Sequence, residues 1–140
     1  MDDFFLQPFQ RTKERLESPG ENVDHERFKE EILIPLSKHE DVKLRRFNCS
    51  TKSIESAILI PYKPFNIIEG SYSMHSRLQK YYDFSVFLTV NKDEQIERLR
   101  KRNPKMLNNF IQQWIPLEEA YFNTFSIQDK CNIQIDTSNA

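Results

Sequence analysis

Two stretches of the chain carry hydrophobic residues at helical spacing, and the remainder carries short apolar runs bounded by breakers. Phe28, Ile32 and Leu36 recur at every fourth position, which predicts a helix over residues 25–36 with one apolar face. Asp24 stands at its N-cap, His25 is expected as a solvated first-turn residue, and Pro35 should end or kink the helix. Met106, Leu107, Phe110, Ile111, Trp114 and Ile115 mark a second amphipathic helix, which Pro116 kinks and which resumes through Leu117, Ala120, Tyr121 and Phe125. These aromatics read as core. A more polar helix precedes it over residues 93–104, capped by Asn91, with Ile96 and Leu99 facing inward. Arg98, Lys101 and Arg102 form its basic face, which taken alone is an ordinary solvated one.

Phe65-Asn66-Ile67-Ile68-Glu69 is an apolar run ended by an acid, approached through Pro61 and Pro64 and followed by Gly70. It predicts a short buried strand with Glu69 at its carboxyl end, where open α/β sheets put their ligands, and a sharp turn or close approach at Gly70. Seen alone, a Glu-Gly pair at a strand end is an ordinary turn. Residues 42–47 and 57–60 are β-rich and are joined through Asn48-Cys49-Ser50-Thr51-Lys52, giving a hairpin or a pair of short strands over 42–60. Residues 84–90 are apolar at nearly every position, as in a strand buried on both faces of a parallel sheet. Residues 71–82 predict a short helical connection, residues 7–20 a surface loop or short helix, and residues 131–136 a last strand. Strands alternating with helices indicate an α/β layered fold.

Composition narrows the function classes. With 38% hydrophobic residues, including 11 Phe, 5 Tyr and 1 Trp, the 140 residues suffice for one domain with a real core. Lys and Arg number 20 against 21 Asp and Glu, a net charge of -1, so no global field draws the chain to nucleic acid or to an anionic membrane. Cys49 and Cys131 are far apart, with no second Cys or His at ligand spacing, which argues against a zinc site or a disulfide framework. No apolar run nears the ~18 residues of a membrane span, and no signal-peptide pattern opens the chain. The expectation is a cytoplasmic protein.

Five short motifs then follow one another: Met1-Asp2-Asp3-Phe4-Phe5-Leu6, Asn22-Val23-Asp24, Ile67-Ile68-Glu69-Gly70-Ser71-Tyr72, Tyr82-Asp83 ahead of an apolar strand, and a basic helix closed by Arg102-Asn103. This order resembles the uridine kinase-like branch of the P-loop nucleoside kinases, which also includes phosphoribulokinase, and the resemblance runs over nearly the whole chain. It implies a three-layer P-loop-kinase-like fold with a mostly parallel sheet. It also implies transfer of the ATP γ-phosphate, with Mg²⁺, to a primary hydroxyl of a nucleoside or similar small molecule. Catalysis in such transfers is positioning plus charge stabilisation. The family's D-x-F-[YF] motif falls on Asp2-Asp3-Phe4-Phe5, where Asp2, or Asp3 beside it, would orient and deprotonate the substrate hydroxyl. Asp24 matches the acid that binds sugar hydroxyls, Phe47 the aromatic that stacks on a base, and Tyr72 falls in the substrate-side motif. Glu69 matches the strand-end acid that holds substrate or Mg²⁺-bound water. Arg102 and Arg98 match the lid arginines that neutralise charge on the transferred phosphate, with Lys101 beside them on the nucleotide side.

Two departures accompany the resemblance. The base-enclosing hairpin of uridine kinases carries an aromatic-acid pair and a histidine, whereas this chain reads Arg46-Phe47-Asn48-Cys49-Ser50-Thr51, so uridine or cytidine is not fixed as the acceptor. No G-x-x-x-x-G-K-[ST] occurs, and the two glycines are Gly20 and Gly70. In the family that loop precedes the Asp-x-Phe motif by about one βαβ unit, together with a central strand. The expectation is therefore the carboxyl-terminal part of a kinase domain, weakly active or inactive alone. The alternative is a non-catalytic remnant that binds small molecules or serves assembly. Its orphan strand edges would then have to re-pair or be covered in a homo-oligomer.

Overall fold

Backbone ladders in this chain are short. The computed structural model describes every residue except residue 2, and its described residues form three two-stranded sheets among helices, a mixed α/β architecture. They divide into two units, Met1–Tyr82 and Asp83–Ala140. Among the described residues no helix is long and apolar enough to cross a membrane.

In the first unit, a 3-10 turn (Pro8–Gln10) and α1 (Lys13–Glu17) lead to α2, which spans residues 25–37. α2 is α-helical over His25–Phe28, π-helical over Lys29–Leu33 and α-helical again over Ile34–Ser37. Pro35 accounts for the middle segment. It has no N–H to donate, and its ring would collide with the carbonyl four residues back. Widening the preceding turn, so that the Ile34 N–H donates to the Lys29 carbonyl, absorbs the proline without ending the helix. The apolar face expected from the four-residue repeat is present. Phe28 and Ile32 are buried with Phe4, Leu33, Val42 and Leu78, and Leu36 packs half-buried against them.

The hairpin over 42–60 forms as expected. β1 (Val42–Leu44) pairs antiparallel with β4 (Ile58–Ile60), and β2 (Phe47–Asn48) pairs with β3 (Ser53–Ile54). Asn48 folds the tip by accepting the Ser50 and Thr51 N–H groups at 2.9 and 3.1 Å, and Lys52 takes a φ of 54° to close it.

Residues 65–69 form no strand, which corrects the buried-strand expectation. Phe65 and Ile67 are 80% and 78% exposed, while Ile68 packs on the core. Pro61 and Pro64 remove donors from the approach, and no described strand offers this run a ladder. Gly70 behaves as its position suggested: its φ is 138°, and a Cβ there would lie 3.0 Å from the Met1 Cβ. Residues 71–82 are a series of turns closed by a 3-10 turn at Gln79–Tyr81, with Leu78 fully buried.

In the second unit, β5 (Val86–Thr89) pairs parallel with β6 (Ile133–Asp136). Between them run α3 (Lys92–Arg102), α4 (residues 107–125) and α5 (Ile127–Lys130). α4 repeats the proline device of α2: a π segment at Phe110–Trp114 precedes Pro116, with the Ile115 N–H donating to the Phe110 carbonyl. Ser126, at φ 49°, ends it. The sheet is parallel, but β5 is not buried on both faces. Phe87 packs edge-on against Phe122 at 5.1 Å, whereas Val86, Leu88, Ile133 and Ile135 are 44%, 63%, 43% and 43% exposed. Strand alternation leaves one face of a two-stranded sheet outward when helical side chains meet the other. Asn91 caps α3 by accepting the Glu94 N–H at 2.9 Å. Asn91→Ala is expected to lower the stability of the second unit by about 1 kcal/mol, read as a shift of its urea midpoint with unchanged slope.

Candidate functional site

The residues nominated from the sequence divide between the two units: Asp3, Asp24, Phe47, Glu69 and Tyr72 in the first, Arg98, Lys101 and Arg102 in the second. Asp2 lies outside the described residues. In the first unit, the segment after Asp3 runs antiparallel to the entry of α2: Phe5 bridges Val23, and the Asp24 N–H donates to the Phe4 carbonyl at 2.8 Å. The same segment is tied to the hairpin. The Phe47 N–H donates to the Asp3 carbonyl at 2.9 Å, the Phe5 and Phe47 rings lie 6.3 Å apart, and the Asp3 carboxylate faces Arg46 Nε at 3.5 Å. Beside them opens a cleft of about 230 Å³ lined by Phe28, Ile32, Val42, Leu44 and Ile68, with Asp3 and Asn66 among its polar groups. Asp3 is half-exposed and is the nominated acid that reaches this cleft.

Asp24, which the resemblance matches to the acid that binds sugar hydroxyls, is placed at the buried start of α2. It is 1% exposed, caps α2 by accepting the Arg27 N–H at 3.1 Å, and pairs with Arg27 Nε at 3.2 Å. Arg27 is the organiser that sequence reasoning missed. Its guanidinium donates to the Arg45 carbonyl at 2.6 Å and the Asp3 carbonyl at 3.2 Å, and lies 4.2 Å from the centre of the Phe4 ring. One buried side chain thus joins the acid-bearing segment, the helix start and the hairpin. The available signal was its place three residues after a cap acid, which is common in solvated helices too. Phe47 is half-buried, the Tyr72 ring is buried, and Glu69 is exposed.

A second cluster lies at the start of α2, and it corrects the solvated reading of His25. His25 and His75 are 1% and 2% exposed, stacked at 4.0 Å with their planes 16° apart. Glu21 spans both, with Oε2 2.7 Å from His25 Nε2 and Oε1 3.2 Å from His75 Nε2. Burial alone would raise the Glu21 carboxyl, but hydrogen bonds and charge from the two imidazoles outweigh it and hold the group below the usual carboxylate range. Burial, and next the neighbouring His25, push His75 below the ordinary imidazole value against the pull of Glu21.

One ligand atom from each of the three residues lies within 4.8 Å of the others, and two histidines with a glutamate are a zinc-type donor set. The stacking argues against chelation. Each imidazole lone pair lies in its own ring plane, and two nearly parallel planes cannot both aim at one ion ~2.0–2.1 Å from each nitrogen. The arrangement is a carboxylate hydrogen-bonded to two imidazoles. Glu21 and His25 are at helical i, i+4 spacing, but His75 comes from 54 residues away, where no local pattern points to it.

In the second unit, Arg98 is held by Glu94 at 2.7 Å and donates to the Thr137 carbonyl at 2.6 Å, so it anchors the segment after β6 to α3. Lys101 faces Glu97 at 3.7 Å, and the exposed Arg102 lies 5.7 Å from the centre of the Phe110 ring. The described residues do not fit the phosphates of ATP: there is no glycine-rich loop, and Gly20 and Gly70 stand singly. No family model matches the chain, and no curated protein matches it either.

Proposed function

We propose that the chain is the acceptor-side and lid-bearing part of a uridine kinase-like phosphotransferase, inactive or weakly active alone. In this reading its short sheets belong to a mostly parallel three-layer fold, and Asp3 orients the acceptor hydroxyl. The observation that carries the proposal is the half-exposed Asp3 carboxylate at an apolar cleft, on a segment hydrogen-bonded to Phe47. An acid beside an apolar wall, with an aromatic ring nearby, suits a hydroxylated ring compound. The order of the sequence motifs supports the same assignment. ATP and Mg²⁺ would supply and neutralise the transferred phosphate, but these residues provide no cradle for it, so the proposal concerns recognition of the acceptor.

Calorimetry of the 140-residue chain with a panel of nucleosides, beginning with uridine and cytidine, tests this. Saturable binding of one of them is expected, weakened about tenfold by Phe47→Ala through lost stacking. ATP with Mg²⁺ is expected not to bind. A folded chain that binds none of the panel overturns the proposal.

A second reading, a non-catalytic small-molecule-binding or assembly domain, is favoured by the engagement of Asp24 with Arg27 and of Arg98 with Thr137. It predicts that Asp3→Asn leaves small-molecule affinity unchanged, whereas the kinase reading predicts weaker binding of the hydroxylated acceptor.

A further inference from the structure

The stacked histidines join segments that are distant in sequence. Glu21 lies in the loop before α2, His25 in its first turn, and His75 in the turns after Gly70. The protons of His75 can be assigned from its partners. Its Nδ1 accepts the Arg77 N–H at 3.3 Å, so that nitrogen carries no proton, and Nε2 donates its own to Glu21. A second proton would have to go onto Nδ1. There it would face an N–H donor, break the Arg77 hydrogen bond and charge a buried ring stacked 4.0 Å from another imidazole.

We propose that the Glu21–His25–His75 stack is an acid-operated latch, which holds the turn over residues 75–79 against α2 while His75 is neutral and releases it when His75 is protonated. The latch does not depend on the proposed kinase lineage.

Glu21 itself favours a charged His75 against burial, and beside it the charged groups near the stack among the described residues are few. Glu26 Oε2 lies 3.5 Å from His25 Nδ1 and is itself held by Arg15 of α1 at 2.6 Å. Arg15 also donates to the Glu21 carbonyl at 2.9 Å, and Arg77 approaches Glu26 at 3.9 Å. Glu26 therefore faces the His25 edge of the stack. At the nitrogen of His75 that would take the new proton, the identified partner is a backbone donor. The folded-state pKa of His75 is lowered, so the unfolded chain binds the proton more readily. The latch contributes fully above the ordinary imidazole range, near pH 6.5, and its contribution falls as the pH drops from there through the folded value.

The test is amide hydrogen exchange on the full chain. The Leu78 and Gln79 N–H groups donate to the His75 carbonyl at 2.8 and 3.2 Å and report the turn directly. Their protection factors, corrected for intrinsic rates, are expected to fall about tenfold between pH 7.5 and 5.5, while those of Ile32 and Leu33 in α2 hold. His75→Gln keeps an amide donor for Glu21 but cannot titrate, and should abolish the pH step. Equal protection at both pH values in the wild type, or the same step in His75→Gln, overturns the latch. Should His75→Gln fail to fold, ring ¹⁵N shifts of the wild type decide. A neutral Nε2–H tautomer at pH 7.5 that takes its second proton only below the ordinary imidazole range, with Leu78 protection falling from about pH 6.5 down to that point, supports the latch, and an Nδ1–H tautomer overturns it. One equivalent of zinc chloride at pH 7.5 should leave the exchange unchanged; a rise in Leu78 protection would identify a chelate and overturn the assignment.

Discussion

Arg27→Met is expected to destabilise the first unit by about 3–5 kcal/mol, a large share of the roughly 5–15 kcal/mol that holds an ordinary domain folded. The methionine keeps much of the stem's packing and removes the charge. Asp24, 1% exposed, is then left as a buried carboxylate without its cation, and the Asp3 and Arg45 carbonyls each lose a charged donor. Urea unfolding followed by near-ultraviolet circular dichroism measures the effect. Asp24→Asn in the same background should recover part of the loss, because asparagine caps a helix as well as aspartate and brings no charge to bury. The two changes should therefore be strongly non-additive. A loss below about 1 kcal/mol for Arg27→Met would mean that the guanidinium is solvated and does not organise the unit.

Phe4→Ala is expected to cost about 3–5 kcal/mol by a different route. Phe4 is 3% exposed, meets the Phe28 ring edge-on at 5.0 Å, and offers its face to the Arg27 guanidinium. Truncation leaves a void between α2 and β1 and strips Arg27 of its apolar support. The neighbouring Phe5, 43% exposed, should tolerate alanine within about 1 kcal/mol. The pair separates packing from recognition inside one motif, because Phe5 rather than Phe4 lies beside Phe47. Thermal unfolding of both variants suffices, and equal losses would refute the assignment of Phe4 to the core and Phe5 to the surface.

Much of the local structure was legible in the residue pattern. The four-residue repeat of Phe28, Ile32 and Leu36 identified the buried face of α2, and Asp24 and Asn91 identified two helix starts. Asn48 with its short polar turn located the hairpin tip, and both prolines marked the places where the helices change pitch. Gly70 announced a backbone that other residues could not adopt. Each of these rests on interactions within a few residues, so the sequence itself holds both partners.

The tertiary structure decided the rest. Residues 65–69 have the composition of a buried strand, yet Phe65 and Ile67 are solvent-exposed, and among the described residues no strand pairs with them. Asp24 reads equally as a cap or a ligand, and burial against Arg27 makes it a cap. His25 looked solvated until His75 stacked on it, and Arg27 looked like one more surface cation until its reach to Asp3 and Arg45 was seen. The residue pattern determined which faces are apolar and where helices and turns begin, because those are local hydrogen bonds and periodicities. Which polar groups are buried, and against what, depends on segments 18 to 54 residues away, and that only the folded chain specifies.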